Sequence, residues 1–435
     1  MPMELKLIVR RAVMRWKGKQ VAARKAGNVA APVPETPAER LVGKGVEDDT
    51  VPPAAKLEDD LGRFLSGRYE FRFNRLTGAT EFRHKGDAGD AAFRPVTGRD
   101  LNAICVEAHR AGIPCWDRDL ARMVNSAHVK AYHPFRQYFD GLPCWDGRDR
   151  LHDLAARVSA DAHWIRAFHR WMLGVAAQWA GLSDGLHAQC VAPLLVSDTQ
   201  GMGKSTFCRA LMPPELQAYY SDNIDLARPE KIERQLVEAG LLNLDEFDRI
   251  PARKHPLLKN LMQLSALNLR KAYQRHACAL PRIAAFIGTS NSRELLTDPS
   301  GSRRFICVLV EHPIDSTDID HAQVYAQLKA ELQRGERHWF SHEEEAGLQA
   351  HNAAFYRVSP ASELLGRCFR AARPDEDARL WSLPGLFEHV KRRQPDCVAG
   401  LNLAGFAQAL TAAGVEKVHT RYGNRWRVAE VDVRG

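Results

Sequence analysis

LLVSDTQGMGKSTF, residues 194–207, is the stretch on which the fold turns. Its first half belongs to the apolar run VAPLLVS, residues 191–197. That run lacks the polar alternation of a half-exposed strand and predicts one buried on both faces. Its second half opens a helix with GKSTFCRALM. A strand, a glycine-rich turn and a helix, in that order, form the setting in which backbone N–H groups cradle phosphates. Gly201 and Gly203 supply the backbone freedom of the turn, and Met202 and Thr206 complete the segment expected to contact a nucleotide. Lys204 is expected to reach the β- and γ-phosphates of ATP, and the Ser205 hydroxyl to hold Mg²⁺. One position departs from the usual G-x-x-x-x-G-K-[ST] pattern, because Asp198 stands where the first Gly belongs. An Asp there would cap local N–H groups in an Asx-type turn. Its carboxylate would also repel phosphate unless it pointed away.

Working outward, the chain from residue 190 alternates short apolar runs with helical patterns. Strands are expected at 191–197, 218–224, 241–245, 282–290 and 303–311, with helices at 203–212, 228–239 and 252–265. That alternation predicts a parallel α/β sheet. GLLNLDEFDRI (240–250) ends its strand in Asp245-Glu246, 41 residues after Lys204. Asp245 is the expected Mg²⁺ carboxylate and Glu246 the general base that polarises water; the plainer reading is an acidic turn. FIGTSN (286–291) ends another buried run in Asn291, a residue suited to orienting that water. If these strands are neighbours, Lys204, Asp245, Glu246 and Asn291 meet at the carboxyl ends of one sheet, where ligands bind in open α/β folds. TDPSGSRRF (297–305) offers Arg303 and Arg304 as an arginine finger or as a surface pair. LNLRKAYQRHACALPR (267–282) reads as a hairpin with Arg270, Lys271, Arg275 and His276 near its turn. Those cations suit nucleic-acid phosphates, and a structural hairpin is the alternative.

Composition bounds the rest. The 435 residues carry a net charge of +8, with 45% hydrophobic and 26% charged residues. These values fit a globular chain of several domains. No apolar run is long enough to cross a membrane. The first 30 residues hold eight Lys/Arg against Glu4 alone, with Leu5, Ile8, Val9, Ala12, Val13 and Trp16 at helical spacing. This basic amphipathic segment reads as a nucleic-acid or partner-docking arm, or as a solvated tail or membrane-surface helix. It lacks a secretory pattern; its Arg content suits a transit peptide, against which the absence of Ser counts; and the nine Cys lack zinc spacing, so a cytoplasmic protein with reduced thiols is expected.

The expected organisation is a basic arm and Pro-rich linker (1–56), a small α+β domain (57–150), a helical lead-in (151–189), the ATPase core (190–312), a helical connector (313–358) and a final unit (359–435). FRQYFDGLPCWDGRDRL (135–151) reads as a short connector. Trp164, Phe168, Trp171 and Trp179 read as core. At the end, a helix, Gly414 and two strands around Tyr422-Gly423-Asn424 predict a winged-helix-like domain. Lys417, His419, Arg421, Arg425 and Arg427 would make its wing basic.

The set TQGMGKST, LDEFD, RKAYQR…PRIAAFIGTSN and LLTDPSGSRRF, with the lead-in YHPFRQYFDGLPCWDGRDRL, resembles the virulence-associated E family over roughly residues 130–312. These are P-loop ATPases of phages, plasmids and mobile elements, related to superfamily-3 helicases within the AAA+ class. The resemblance implies a P-loop NTPase core of AAA+ type, ATP and Mg²⁺ as cofactors, a homo-hexamer, and single-stranded or forked DNA as partner. It puts Lys204 and Ser205 in Walker A, Asp245 and Glu246 in Walker B, Asn291 at the sensor position and Arg303 or Arg304 at the finger. Some relatives carry a primase that uses a D-x-D pair. WDRDL holds Asp117-x-Asp119, for which a helix start with an Asp cap is the plainer reading.

Overall fold

The computed structural model describes residues 53–86, 92–182, 189–270, 276–296 and 299–356, and in the C-terminal part 369–372, 376, 378–393, 395–398, 402–412, 414–421 and 423–430. The basic arm expected at the N-terminus falls outside them, as do Lys271, Arg275 and Tyr422. The chain folds as two compact units. The first takes the described residues up to 291 and 303–348. The second takes those of 292–302 and from 349 onward. The helical stretch expected at 313–358 is therefore divided between them.

The first unit begins with helix α1 (Pro53–Arg68) and the hairpin β1 (Tyr69–Asn74) and β2 (Ala79–His84). Their register runs from Tyr69↔His84 to Asn74↔Ala79, which leaves Arg75–Gly78 as the turn. Strand β3 (Arg94–Pro95) pairs with β2. Helices α2 (Gly98–Arg110) and α3 (Asp117–Val124) follow, and β4 (Ala131–Tyr132) then pairs parallel to β1. Alternation on the strands and one apolar face on each helix meet in a core of Leu61, Tyr69, Phe82, Ile104 and Leu120. Thr97 and Asp100 form a reciprocal capping box on α2. The Asp117-x-Asp119 pair starts α3, with Trp116 N donating to Asp119 Oδ2 at 3.2 Å.

The segment expected to be a connector contains helix α4 (Pro134–Gly141). Pro134 takes the first helical position, and Phe135, Tyr138 and Phe139 fall on one face at i, i+3 and i+4. Helices α5 (Arg150–Ala156) and α6 (Ala162–Ala180) come next. Trp164, Phe168, Trp171 and Trp179 on α6 are each no more than 1% exposed, as expected of core. Trp179 Nε1 donates to Gly240 O at 3.1 Å, and Gln178 Nε2 donates to Ile283 O and Ala284 O at 2.8 Å each. These bonds satisfy polar groups that burial would otherwise penalise.

The main sheet comprises β5 (Ala192–Val196), β6 (Tyr220–Ser221), β7 (Leu241–Leu244), β10 (Ala285–Ser290) and β11 (Phe305–Leu309). All neighbours are parallel, in the order β11-β5-β10-β7-β6. Between the strands lie α7 (Lys204–Ala210), α8 (Pro229–Glu238), α9 (His255–Gln263) and the antiparallel hairpin β8 (Ala266–Leu269) with β9 (Cys278–Pro281). Strand β6 is shorter than the expected 218–224: a 3₁₀ helix opened by Pro214 takes Ala218 and Tyr219, and the strand stops at Ser221. Gly288 lets β10 close on both neighbours: a Cβ there would lie 2.7 Å from Leu194 Cδ2 and 3.0 Å from Leu244 O. Helices α10 (His321–Arg334) and α11 (His342–His351) follow the sheet. The small domain is tied to it through Asn74 Nδ2, which donates to Tyr219 Oη (2.7 Å) and Glu81 Oε1 (2.8 Å).

The second unit holds β12 (Phe369–Ala371), β13 (Arg379–Trp381), α12 (Leu383–Arg393), α13 (Leu403–Ala412), β14 (Glu416–Thr420) and β15 (Gly423–Glu430). Strand β15 pairs antiparallel with the other three. Leu386, Val390, Phe406, Leu410, Trp426 and Val428 form its core. Thr420 pairs with Gly423 and His419 with Asn424, so Gly423 and Asn424, expected in the turn, belong to β15. Facing partners project to the same side of a hairpin. Lys417 (opposite Trp426) therefore shares a face with His419, while Arg425 (opposite Val418) shares the other with Arg427. Of the residues expected to make the wing basic, Lys417 and His419 thus lie on one face and Arg425 and Arg427 on the other. Among the described residues, no helix of either unit is long and apolar enough to cross a membrane.

Candidate active site

The strand order brings β5, β10 and β7 side by side, so the residues after their carboxyl ends converge. Gly201 and Gly203, both at φ +77°, turn the chain from β5 into α7. The turn is locked behind by Ile314 N donating to Met202 O at 3.0 Å, and a Cβ on Gly203 would sit 3.1 Å from Ile314 O. A Cβ on Gly201 would meet nothing within 4 Å, so the outer side of the turn is open.

Lys204 points back across the strand ends. Its Nζ donates to Ser197 O and to Asn291 Oδ1, each at 3.0 Å. The side chain is buried, and burial lowers its pKa below the usual lysine value against the opposing pull of Asp248, Asp198 and Asp245. Both direct partners are neutral oxygens. A buried ammonium without a directly bonded carboxylate suits a polyphosphate, whose charge offsets the desolvation. Ser205 Oγ donates to Asp245 Oδ1 at 2.8 Å, and Thr289 Oγ1 donates to the same oxygen at 2.6 Å. A hydroxyl and a carboxylate in contact are a donor set that fits Mg²⁺. Asp198 on the turn and Thr206 in the first turn of α7 are exposed.

Asp248 was not singled out by sequence reasoning. Its Oδ1 accepts from Ser290 Oγ and from Asn291 N, each at 3.0 Å, which fixes the end of β10 and so aims the Asn291 amide at Lys204. Thr289 was missed likewise; Glu246 N donates to its hydroxyl at 3.2 Å. Glu246 itself adopts a left-handed backbone, φ +52°, rare for a residue with a Cβ. Its carboxylate pairs with Arg249 at 2.6 Å.

A family model for the virulence-associated protein E-like domain matches residues 140–357, half of the chain, and spans this whole constellation. The chain belongs to the virulence-associated protein E-like family. A second model, a domain of unknown function (DUF3874), matches residues 358–428. No curated protein matches at a significant level. Among solved structures, the apo NrS-1 C-terminal region aligns at 12% identity with a TM-score of 0.42, over 86% of this chain and 99% of that one. Its A form aligns over the same shares at 11% identity and 0.41.

Within the virulence-associated protein E-like domain, two expected site residues stand apart from the cluster. Arg303 and Arg304 precede β11, whose Phe305 faces Ala192 at the start of β5. They therefore sit at the amino end of the sheet, opposite Lys204, and Arg303 pairs with Glu345 at 3.3 Å. Arg270 follows β8 and His276 lies in the turn toward β9. Lys417, Arg421 and Arg425 belong to the second unit.

The small domain holds a cluster that a search for C-x-x-C pairs passes over. The ligand atoms of Cys105, His109 and Cys115 lie within 4.8 Å of one another. Cys105 and His109 share a face of α2 at i and i+4, and Cys115 follows in the loop. His109 Nε2 lies 2.5 Å from Cys115 O. Burial, with Cys105 beside it, pushes the Cys115 thiol up to about 11. Three ligands fall short of the four that close a structural zinc site.

Proposed function

We propose that the chain is a Mg²⁺-dependent ATPase that acts on DNA as a homo-oligomer. The observation that carries this reading is the meeting of Lys204, Ser205, Asp245 and Asn291 beyond three adjacent parallel strands. Residues Gly201 to Thr206 would wrap the phosphates, and Ser205 with Asp245 would hold Mg²⁺. ATP, when bound, supplies the phosphoanhydride bond whose hydrolysis drives work.

In this reading Lys204 exchanges Ser197 O for phosphate oxygens. Asn291, held by Asp248, orients water, and Glu246 leaves Arg249 to take that water's proton. Arg303, at the opposite end of the sheet, would reach a nucleotide only in a neighbouring copy, which favours an oligomer. The resemblance to superfamily-3 helicases extends the proposal to a hexamer of a phage or mobile element that translocates on or unwinds single-stranded or forked DNA. The ion pair between Glu246 and Arg249 favours a second reading, in which ATP switches assembly on DNA without turnover.

The test is Mg-ATP turnover with and without a single-stranded oligonucleotide, together with the particle mass in ATP. DNA-stimulated turnover by an oligomer is expected. An absence of turnover under every condition sinks the ATPase reading, and ATP-dependent DNA binding alongside it selects the switch.

A further inference from the structure

A cavity of about 1080 Å³ opens between the small domain and the amino end of β10, within the first unit. It exceeds the roughly 300–1,000 Å³ of ordinary small-molecule sites. Six Lys/Arg line it against two acidic residues, Glu70 and Asp140. Glu70 already pairs with Arg83 at 2.7 Å. Along one wall, guanidinium groups and rings alternate. Arg83 lies 4.6 Å from the Phe93 centroid, Arg72 lies 3.9 Å from the same ring, and Arg72 lies 4.2 Å from Tyr132. The same cleft is lined by Lys130 and Arg136, exposed and with no ion-pair partner among the described residues. Arg136 is seated by Gly181, the left-handed residue that ends α6, where a Cβ would lie 2.6 Å from Arg136 Nη2.

The floor carries the second observation. Arg282 is 2% exposed. Its guanidinium donates to Met262 O (2.9 Å) and Gln189 O (2.7 Å), and among the described residues no carboxylate pairs with it. Its Nε is buried without a hydrogen-bond partner. A buried cation that lacks a counter-charge favours an anion in the space beside it.

We propose that this cleft binds a stretch of single-stranded nucleic acid, with Lys130 and Arg136 on its phosphates and its bases against the stacked guanidinium and aromatic wall. Cationic grooves with stacking surfaces are how single strands are held without sequence preference. A duplex keeps its bases stacked inside and cannot use such a wall. The inference refines the partner of the ATPase reading, rests on it only for biological context, and concerns the end of the sheet away from Lys204.

The experiment is fluorescence anisotropy of a labelled oligo(dT) with the full chain in the absence of nucleotide, across a salt series. The Lys130→Ala/Arg136→Ala protein is expected to bind at least tenfold more weakly. Its salt slope should be smaller by about 1.4, from about 0.7 per lost phosphate contact on a single strand. Ultraviolet cross-links of the wild-type chain are expected at Phe93 or Tyr132, a readout independent of the variant's folding. Unchanged affinity, equal loss for duplex and single strand, cross-links confined to 270–276 or 417–425, or displacement of the oligonucleotide by ATP from a Lys204→Ala protein would each overturn the proposal. Oligonucleotide binding through these residues without ATP turnover would sustain the cleft and sink the ATPase. Turnover without such binding would do the reverse.

Discussion

The two ends of strand β10 handle charge in opposite ways. At its carboxyl end each of these charged side chains is held by neutral groups: Ser205 and Thr289 donate to Asp245, Asn291 accepts from Lys204, and Asn291 N donates to Asp248. At its amino end, Arg282 is held by backbone carbonyls, and the cleft above it carries more cations than acids. The first arrangement has the preorganisation that the proposed chemistry requires, since its dipoles stand in place before a ligand arrives. The second leaves positive charge for an outside polyanion to neutralise.

Four substitutions break or sharpen that contrast. Lys204→Ala is expected to cost about a thousandfold in ATP turnover, the upper range for losing one electrostatic stabiliser, with the melting temperature retained. Wild-type turnover in that protein would move the chemistry away from the carboxyl end. Arg282→Leu is expected to leave turnover per folded molecule intact but cost about 2 kcal/mol in urea unfolding. It strands several carbonyls while relieving a desolvated charge, whose pKa burial lowers to about 10. If turnover fell with stability unchanged, the two ends would not be separable. Thr289→Val keeps the shape of the β10 end and removes one donor to Asp245, so turnover should fall about tenfold, the value of one hydrogen bond to a charged group. Equal turnover in the two proteins would show Asp245 positioned by Ser205 alone. Asp198→Gly restores the usual glycine, and nucleotide affinity by calorimetry is expected to be unchanged or a few-fold tighter as one nearby carboxylate is removed. A large loss would give the exposed Asp198 a positive role in the turn.

Much of the carboxyl end was legible in the sequence because its strands are covered on both faces. Such strands read as unbroken apolar runs, and each ends in a short polar signature. The five positions of β5 are all buried, as VAPLLVS implied. Strand β6 was overdrawn because the aromatics of AYYSDNI suggested a strand, while a 3₁₀ helix opened by Pro214 takes its first two residues and the strand stops at Ser221. Helix α4 was missed because Gly, Pro and Asp after residue 140 masked the i, i+3, i+4 aromatic face before them. Asp248 and Thr289 carried no signature of their own; their roles arise from the β7–β10 pairing, which no local spacing encodes. The cleft was illegible for the same reason, since residues near 72, 83, 93, 130, 136 and 282 meet only through tertiary structure.

The order β11-β5-β10-β7-β6 also has a consequence during synthesis. Both lateral partners of β5 lie far downstream, at residues 285–290 and 305–309. A ribosome adding about 5–20 residues per second needs about 5–20 seconds to supply them. Throughout that interval a fully buried apolar strand has two unpaired edges, the condition under which nascent chains associate wrongly. Helix α6, made earlier and rich in tryptophan, is already available to shelter it. Its early docking would make the N-terminal half a chaperone in cis for the sheet that follows.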